Sequence, residues 1–162
     1  MEDAIRGHSW DLVVSSPLAR CREFATTAAS RILQVPLQLD ARLAEIGFGE
    51  WEGLEPSWIW EHDPVALSRF WEDPSAHPPP GGESFGHFLA RVQSAWQEVV
   101  SRPERRILVV SHGGPIRLIR AGVEGRRPER LLDLDVPCGS LHWVELGVHS
   151  RDIVSSERGD SP

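Results

Sequence analysis

The chain contains no lysine: all 17 basic side chains are arginine, scattered along the sequence as coding bias would leave them. Cysteine is nearly absent as well. Cys21 and Cys138 stand far apart and match neither a redox pair nor a zinc pattern, which predicts a reduced, cytoplasmic protein. No apolar run approaches the length of a membrane span, and the first ten residues hold no signal-peptide core. Positive charge is in deficit, and a net charge of -7 argues against a general nucleic-acid or membrane-surface role. No internal repeat is present. His62, His77, His87, His142 and His149 lack metal-ligand spacing, so no metal or other cofactor is expected.

What remains is the composition of a soluble globular protein, with 40% apolar and 25% charged residues in 162 positions. That length predicts one domain with a substantial core, taken as residues 1–156, and a frayed tail over 157–162.

The richest stretch is ILVVSHGGPIRLI, residues 107 to 119. Four apolar residues in a row fit a strand buried on both faces. Gly113 and Gly114 permit a tight turn, and Pro115 suits the first position of a helix. His112 then lies at the C-terminal end of a strand, beside the free N–H groups of a helix start. Open α/β sheets bind ligands there, and helix N-termini favour anions such as phosphate. A buried structural histidine is the competing reading on this stretch alone.

WDLVVSSPLARCREFATTAASRIL, residues 10 to 33, has the same grammar. An apolar strand ends in small polar residues, with Ser16 placed to cap a helix that opens at Pro17. Leu18, Cys21, Phe24, Ala25, Ala28, Ala29 and Ile32 are spaced for one apolar face. Arg20 falls in the first turn, where a cation opposes the helix dipole unless an anion compensates. If the two strands are parallel, Arg20 and His112 share a crevice. An arginine fork and an imidazole together suit a phosphoryl group.

RLAEIGFGEWEG, residues 42 to 53, adds Glu45 just past a short strand-like run. A carboxyl beside a phosphate keeps its proton more readily, as a general acid for a leaving alkoxide must. Taken alone, a loop glutamate is by default a solvated carboxylate.

The order SSPLARC, RLAEIGFGEWEG, PPPGGESF, VVSHGG resembles the histidine phosphatase superfamily, the phosphoglycerate-mutase-like branch-one group, from about Trp10 to Leu146. The FGEWEG and PPGGES stretches look closest to its alpha-ribazole phosphatase and broad-specificity members. The resemblance implies metal-free phosphomonoester hydrolysis of a small phosphorylated metabolite, alpha-ribazole phosphate among the candidates, through a phosphohistidine. By position, Arg20 would grip phosphate, Glu45 would protonate the leaving oxygen and His112 would hydrogen-bond the phosphoryl group. Ser16 and the backbone around Gly113 would line the pocket. Phosphoryl transfer of the mutase kind and a catalytically inactive phosphate-binding protein are the alternatives.

One motif departs from the family. Its nucleophile is the histidine of an Arg-His-Gly motif ending the first strand, and no such triplet precedes Trp10. Arg6-Gly7-His8 has the residue types in another order. His8 precedes the next strand, and five or six residues at about 3.3 Å each put it roughly 17 to 20 Å from Arg20. The expectation is a chain lacking the family's first strand, whose gene product begins upstream with Arg-His-Gly; without that motif upstream, a degenerate relative is the reading.

The expected architecture is a three-layer α/β/α sandwich with a mostly parallel sheet and an antiparallel addition at the C-terminal side. The addition is a hairpin of residues 138–146 with 150–156. Residues 54–82 carry two short helical patterns, three tryptophans and HPPPGG, the profile of a lid or substrate wall. The tryptophans read as packing residues before a ligand cage. Glu83 and Ser84 open a long amphipathic helix, where Glu83 serves either the pocket or the helix start. The oligomeric state is not legible.

Overall fold

The computed structural model describes residues 2–146. Its elements are α1 (Glu2–Arg6), β1 (Leu12–Ser15), α2 (Ala19–Thr27), β2 (Leu37–Leu39), α3 (Pro56–His62), α4 (Pro64–Glu72), α5 (Phe85–Val100), β3 (Ile107–Val110) and α6 (Gly113–Val123). The three strands form one parallel sheet in the order β2-β1-β3. β1 is central and buried along its whole length, which is why its apolar residues do not alternate with polar ones.

The strand pleat sends successive side chains to opposite faces. Val13 and Leu108 pack on one face with Ile5, Ala25, Ala28 and Ala29 from α1, α2 and its extension. Leu12 and Val14 pack on the other with Leu43, Ala95 and Val99. Helices thus cover both faces, and the molecule is the expected three-layer α/β sandwich. Burying each Val or Leu on such a face contributes roughly 1.5–3 kcal/mol before chain entropy is counted.

Several local features differ from expectation. α2 starts at Ala19, not at Pro17, with Leu18 as its extended cap. Ser16 does not cap it; the Ser16 hydroxyl accepts from Leu18 N at 3.3 Å and turns toward β3. The helix leaves α geometry after Thr27 and runs as a wider π turn from Ala28 to Leu33, closed by Gln34 at φ 55°. α6 begins at Gly113, two residues before Pro115, because both glycines fit the first turn. Residues 138–146 form no strand: Trp143 stacks on Trp10 at 5.5 Å and meets His8 at 4.7 Å, so ring packing rather than a ladder holds this segment. The second arm of the expected hairpin, and the expected tail, lie outside the described residues. His8, on this Trp10–Trp143 cluster, stands at the start of β1, away from the strand ends that carry Ser16 and His112.

The register is what positions the site. Ser15 pairs with Val110, and Ser16 N donates to the Val110 carbonyl at 2.9 Å. The two strands therefore end side by side, and Ser16 faces His112.

Candidate active site

His112 is the last extended residue before α6, with φ -110° and ψ 173°. It is 5% exposed, and its Nε2 lies 2.8 Å from the Ser16 hydroxyl, itself fully buried. The Cys21 thiol donates to the Ser111 carbonyl at 3.3 Å and sits 3.5 Å from His112 Nε2. Burial, then the positive charges of Arg20 and Arg91, push the His112 pKa down to about 4. The imidazole is neutral at pH 7 and free to donate one N–H.

Arg20 is the second residue of α2 and is exposed. Among the described residues its guanidinium has neither a hydrogen bond nor an ion pair. Its charge nevertheless acts on His112, Cys21 and Glu45, so it faces all three. A cation held in a helix first turn with no internal counterion is arranged for an external anion.

Glu45 follows the turn Ala41–Leu43 and reaches the first turn of α6. Its Oε1 accepts from Ile46 N at 3.1 Å and from Gly114 N at 3.2 Å. Burial raises its pKa; the two N–H groups and the charges of Arg20 and Arg117 pull the other way without cancelling it. Gly114 has no room for a side chain, since a Cβ would strike the Glu45 carboxylate and lie 3.2 Å from Phe88. Gly113 opens α6 beneath Arg117, whose Nη1 stands 2.6 Å from where a Cβ would be.

The support behind Glu45 is not evident from its local sequence. Arg91, on α5, donates to the carbonyls of Arg42 and Ala44 at 2.8 Å each and of Glu45 at 3.0 Å. The same guanidinium pairs with Glu83 at 2.6 Å. Burial works against the Glu83 charge, but Arg91 and His87 hold its carboxyl below the usual range. Glu83 also accepts from Gly47 N at 3.3 Å, and its own N–H donates to Gly47 O at 2.8 Å. The helix cap is Ser84, so Glu83 serves the loop behind the site. Next to it, Gly49 at φ 58° packs on the backbone of Pro80–Gly82, and Glu50 N donates to Pro80 O at 2.9 Å. The FGEWEG and PPPGG motifs are thus two halves of one docked loop pair. The available signal for Arg91 was its position between Phe88 and Val92, on the inward stripe of α5.

Beside Glu45 a shallow cleft opens between Phe48, Phe70, Phe85, Phe88, Leu131 and Leu132. The three tryptophans of residues 54–82 are outside it. Trp58 stacks on His62 and Trp60 on Trp71, each about half exposed. The segment still supplies a wall through Phe70 and Pro74.

The geometry therefore joins Ser16, Arg20, Glu45, Gly113 and His112 around the C-terminal ends of β1 and β3. Over residues 1–158 the sequence matches the histidine phosphatase superfamily (branch 1). The chain belongs to that family. It is 38% identical over 142 residues to the bifunctional protein Rv2228c of Mycobacterium tuberculosis, covering 87% of this chain and 36% of that protein. With a glucosyl-3-phosphoglycerate phosphatase of Mycolicibacterium vanbaalenii it shares 31% identity over 150 residues, 86% of this chain and 64% of the relative. The alpha-ribazole phosphatase of Shigella flexneri superposes with a TM-score of 0.70 at 28% identity, covering 84% of this chain and 67% of that one. The chain thus spans little more than a third of the first of these relatives and about two thirds of the other two. Within the histidine phosphatase fold, the sheet order and the His112 turn are those of a mostly parallel, phosphoglycerate-mutase-like sandwich. Among the described residues, no helix is long and apolar enough to cross a membrane.

Proposed function

We propose that this site takes the phosphoryl group of a small phosphorylated metabolite and that the protein is a phosphomonoesterase of the histidine phosphatase type. The observation that carries the reading is the convergence of the free Arg20 guanidinium, the neutral His112–Ser16 pair and the raised Glu45 carboxyl on one spot. Arg20 grips two phosphoryl oxygens, and His112 donates to a third as phosphate charge raises its basicity. Glu45, kept protonated by burial and by the incoming dianion, gives its proton to the leaving alkoxide. In the histidine phosphatase route the phosphoryl group would pass from the alkoxide to a histidine nitrogen, and water would then release inorganic phosphate. The nucleophilic histidine of that route has no counterpart in these 162 residues. Alpha-ribazole phosphate enters as a candidate substrate through the name of a relative. Free thiols at Cys21 and Cys138 suit a reducing, cytoplasmic setting.

The test is a p-nitrophenyl phosphate assay on this chain and on a version extended upstream in its reading frame. Turnover in the extended chain supports the phosphatase. A silent extended chain that still binds inorganic phosphate makes the protein a phosphate-binding relative instead.

A further inference from the structure

The leaving group must lie where Glu45 can protonate it, and the open space on that side of Glu45 is the aromatic cleft. Its lining comes from four separate segments. Ile46 and Phe48 follow Glu45, Phe70 ends α4, Phe85 and Phe88 open α5, and Leu131 and Leu132 belong to the turn after α6. Four phenylalanines around one space bury an apolar body well and do nothing for a hydrated one. Glu45 and Arg117 are the charged residues that line it.

Arg117 bounds the cleft on the Gly113 side. Its Nε is committed to the Leu134 carbonyl at 2.8 Å. Its Nη1 lies over Gly113, and its charge draws down the Glu45 carboxyl, so the guanidinium serves the phosphoryl side of the boundary. A substrate ammonium would face Phe and Leu with Glu45 as its one counterion, and that carboxyl is needed protonated. Away from Arg117, a substrate carboxylate in the cleft would meet no donor among the phenylalanine and leucine walls. Either charge would be desolvated against walls that are mostly apolar.

We infer that the cleft formed by Phe48, Phe70, Phe85, Phe88, Leu131 and Leu132 is the leaving-group subsite and that it selects phosphomonoesters of apolar, preferably aromatic, alcohols over those carrying a carboxylate or ammonium. This rests on the phosphoryl site proposed above.

Phosphonates share the phosphoryl head and resist hydrolysis, so binding to the 162-residue chain, measured by calorimetry, isolates the subsite. Methylphosphonate reports the phosphoryl site alone. Benzylphosphonate adds a ring, phosphonoacetate a carboxylate and 2-aminoethylphosphonate an ammonium. Benzylphosphonate is expected to bind about 10- to 100-fold more tightly than methylphosphonate, the gain from burying one ring, while the two charged compounds gain nothing. Leu132→Glu, at a rim position 37% exposed, is expected to remove most of the benzyl advantage and leave methylphosphonate affinity unchanged. Equal binding of all four compounds overturns the subsite and spares the phosphoryl site. Tightest binding by phosphonoacetate overturns it in favour of a carboxylate held by Arg117. No binding by any of the four overturns the phosphoryl site and the subsite with it.

Discussion

The two sides of Glu45 are built on different physics. On the phosphoryl side, Ser16, His112 and the first turn of α6 are fixed by strand register and backbone hydrogen bonds, within a few residues of β1 and β3. On the cleft side, the walls are phenylalanines and leucines from helices, a loop and a turn far apart in sequence, brought together by tertiary packing. The polar side offers Arg20, unpaired among the described residues, and directed donors, the features on which the proposed phosphoryl recognition rests. The apolar side offers shape and area, and on the proposed reading selects the alcohol that accompanies the phosphate. Generic capture and selective fit are thus divided at a single carboxyl. Arg91 braces both sides, since it pins the Glu45 carbonyl and the Glu83 loop at once.

Breaking the brace is expected to have the largest effect. Arg91→Met takes the guanidinium from Glu83 and the donor from three carbonyls, and stability should fall by about 3–5 kcal/mol, read as a shift in the urea midpoint. A loss below about 1 kcal/mol would mean that the two sides stand independently. Arg20→Ala tests the phosphoryl side alone. Loss of a charge-assisted contact should weaken inorganic phosphate binding about 10- to 150-fold, with stability within about 0.5 kcal/mol of the parent. Unchanged affinity would remove Arg20 from the site. Gly114→Ala tests the contact line between the sides: its Cβ meets both Glu45 and Phe88, and unfolding stability should drop by about 1–3 kcal/mol. The smallest effect concerns Cys21, which is buried with its thiol pKa pushed up by that burial. Such a thiol is unreactive at neutral pH, so alkylating reagents should leave Cys21 unlabelled and react with exposed Cys138.

The same division explains what could be read beforehand. Strand-end motifs are local, so LVVSS and LVVSHGG announced two parallel strands carrying Ser16 and His112, and Arg20 followed two residues into a helix. Glu45 was legible as a loop carboxyl, but not its seat on Gly114 N, which is set by contacts 69 residues apart. The Ser16 cap failed because its hydroxyl had a better partner in His112, a competition no local pattern reveals. The cleft was invisible for the same reason: Phe85 and Phe88 read as helix core, and nothing in the sequence says that Phe48 and Leu131 join them. The tryptophans drew attention by size, yet stack on neighbours at the surface.

On the proposed reading, His112 is a neutral imidazole that waits for an anion. Burial and two nearby cations hold its pKa near about 4, so it binds no proton at pH 6, whereas a phosphate dianion beside it favours the charged form. The direct measurement is an NMR titration of the His112 ring, without phosphate and with phosphate at saturation. The predicted result is a midpoint well below the usual histidine range in the free protein that rises with phosphate, with net proton uptake on binding near pH 6. A His112 midpoint that phosphate does not move would contradict the claim that this turn is a phosphoryl site.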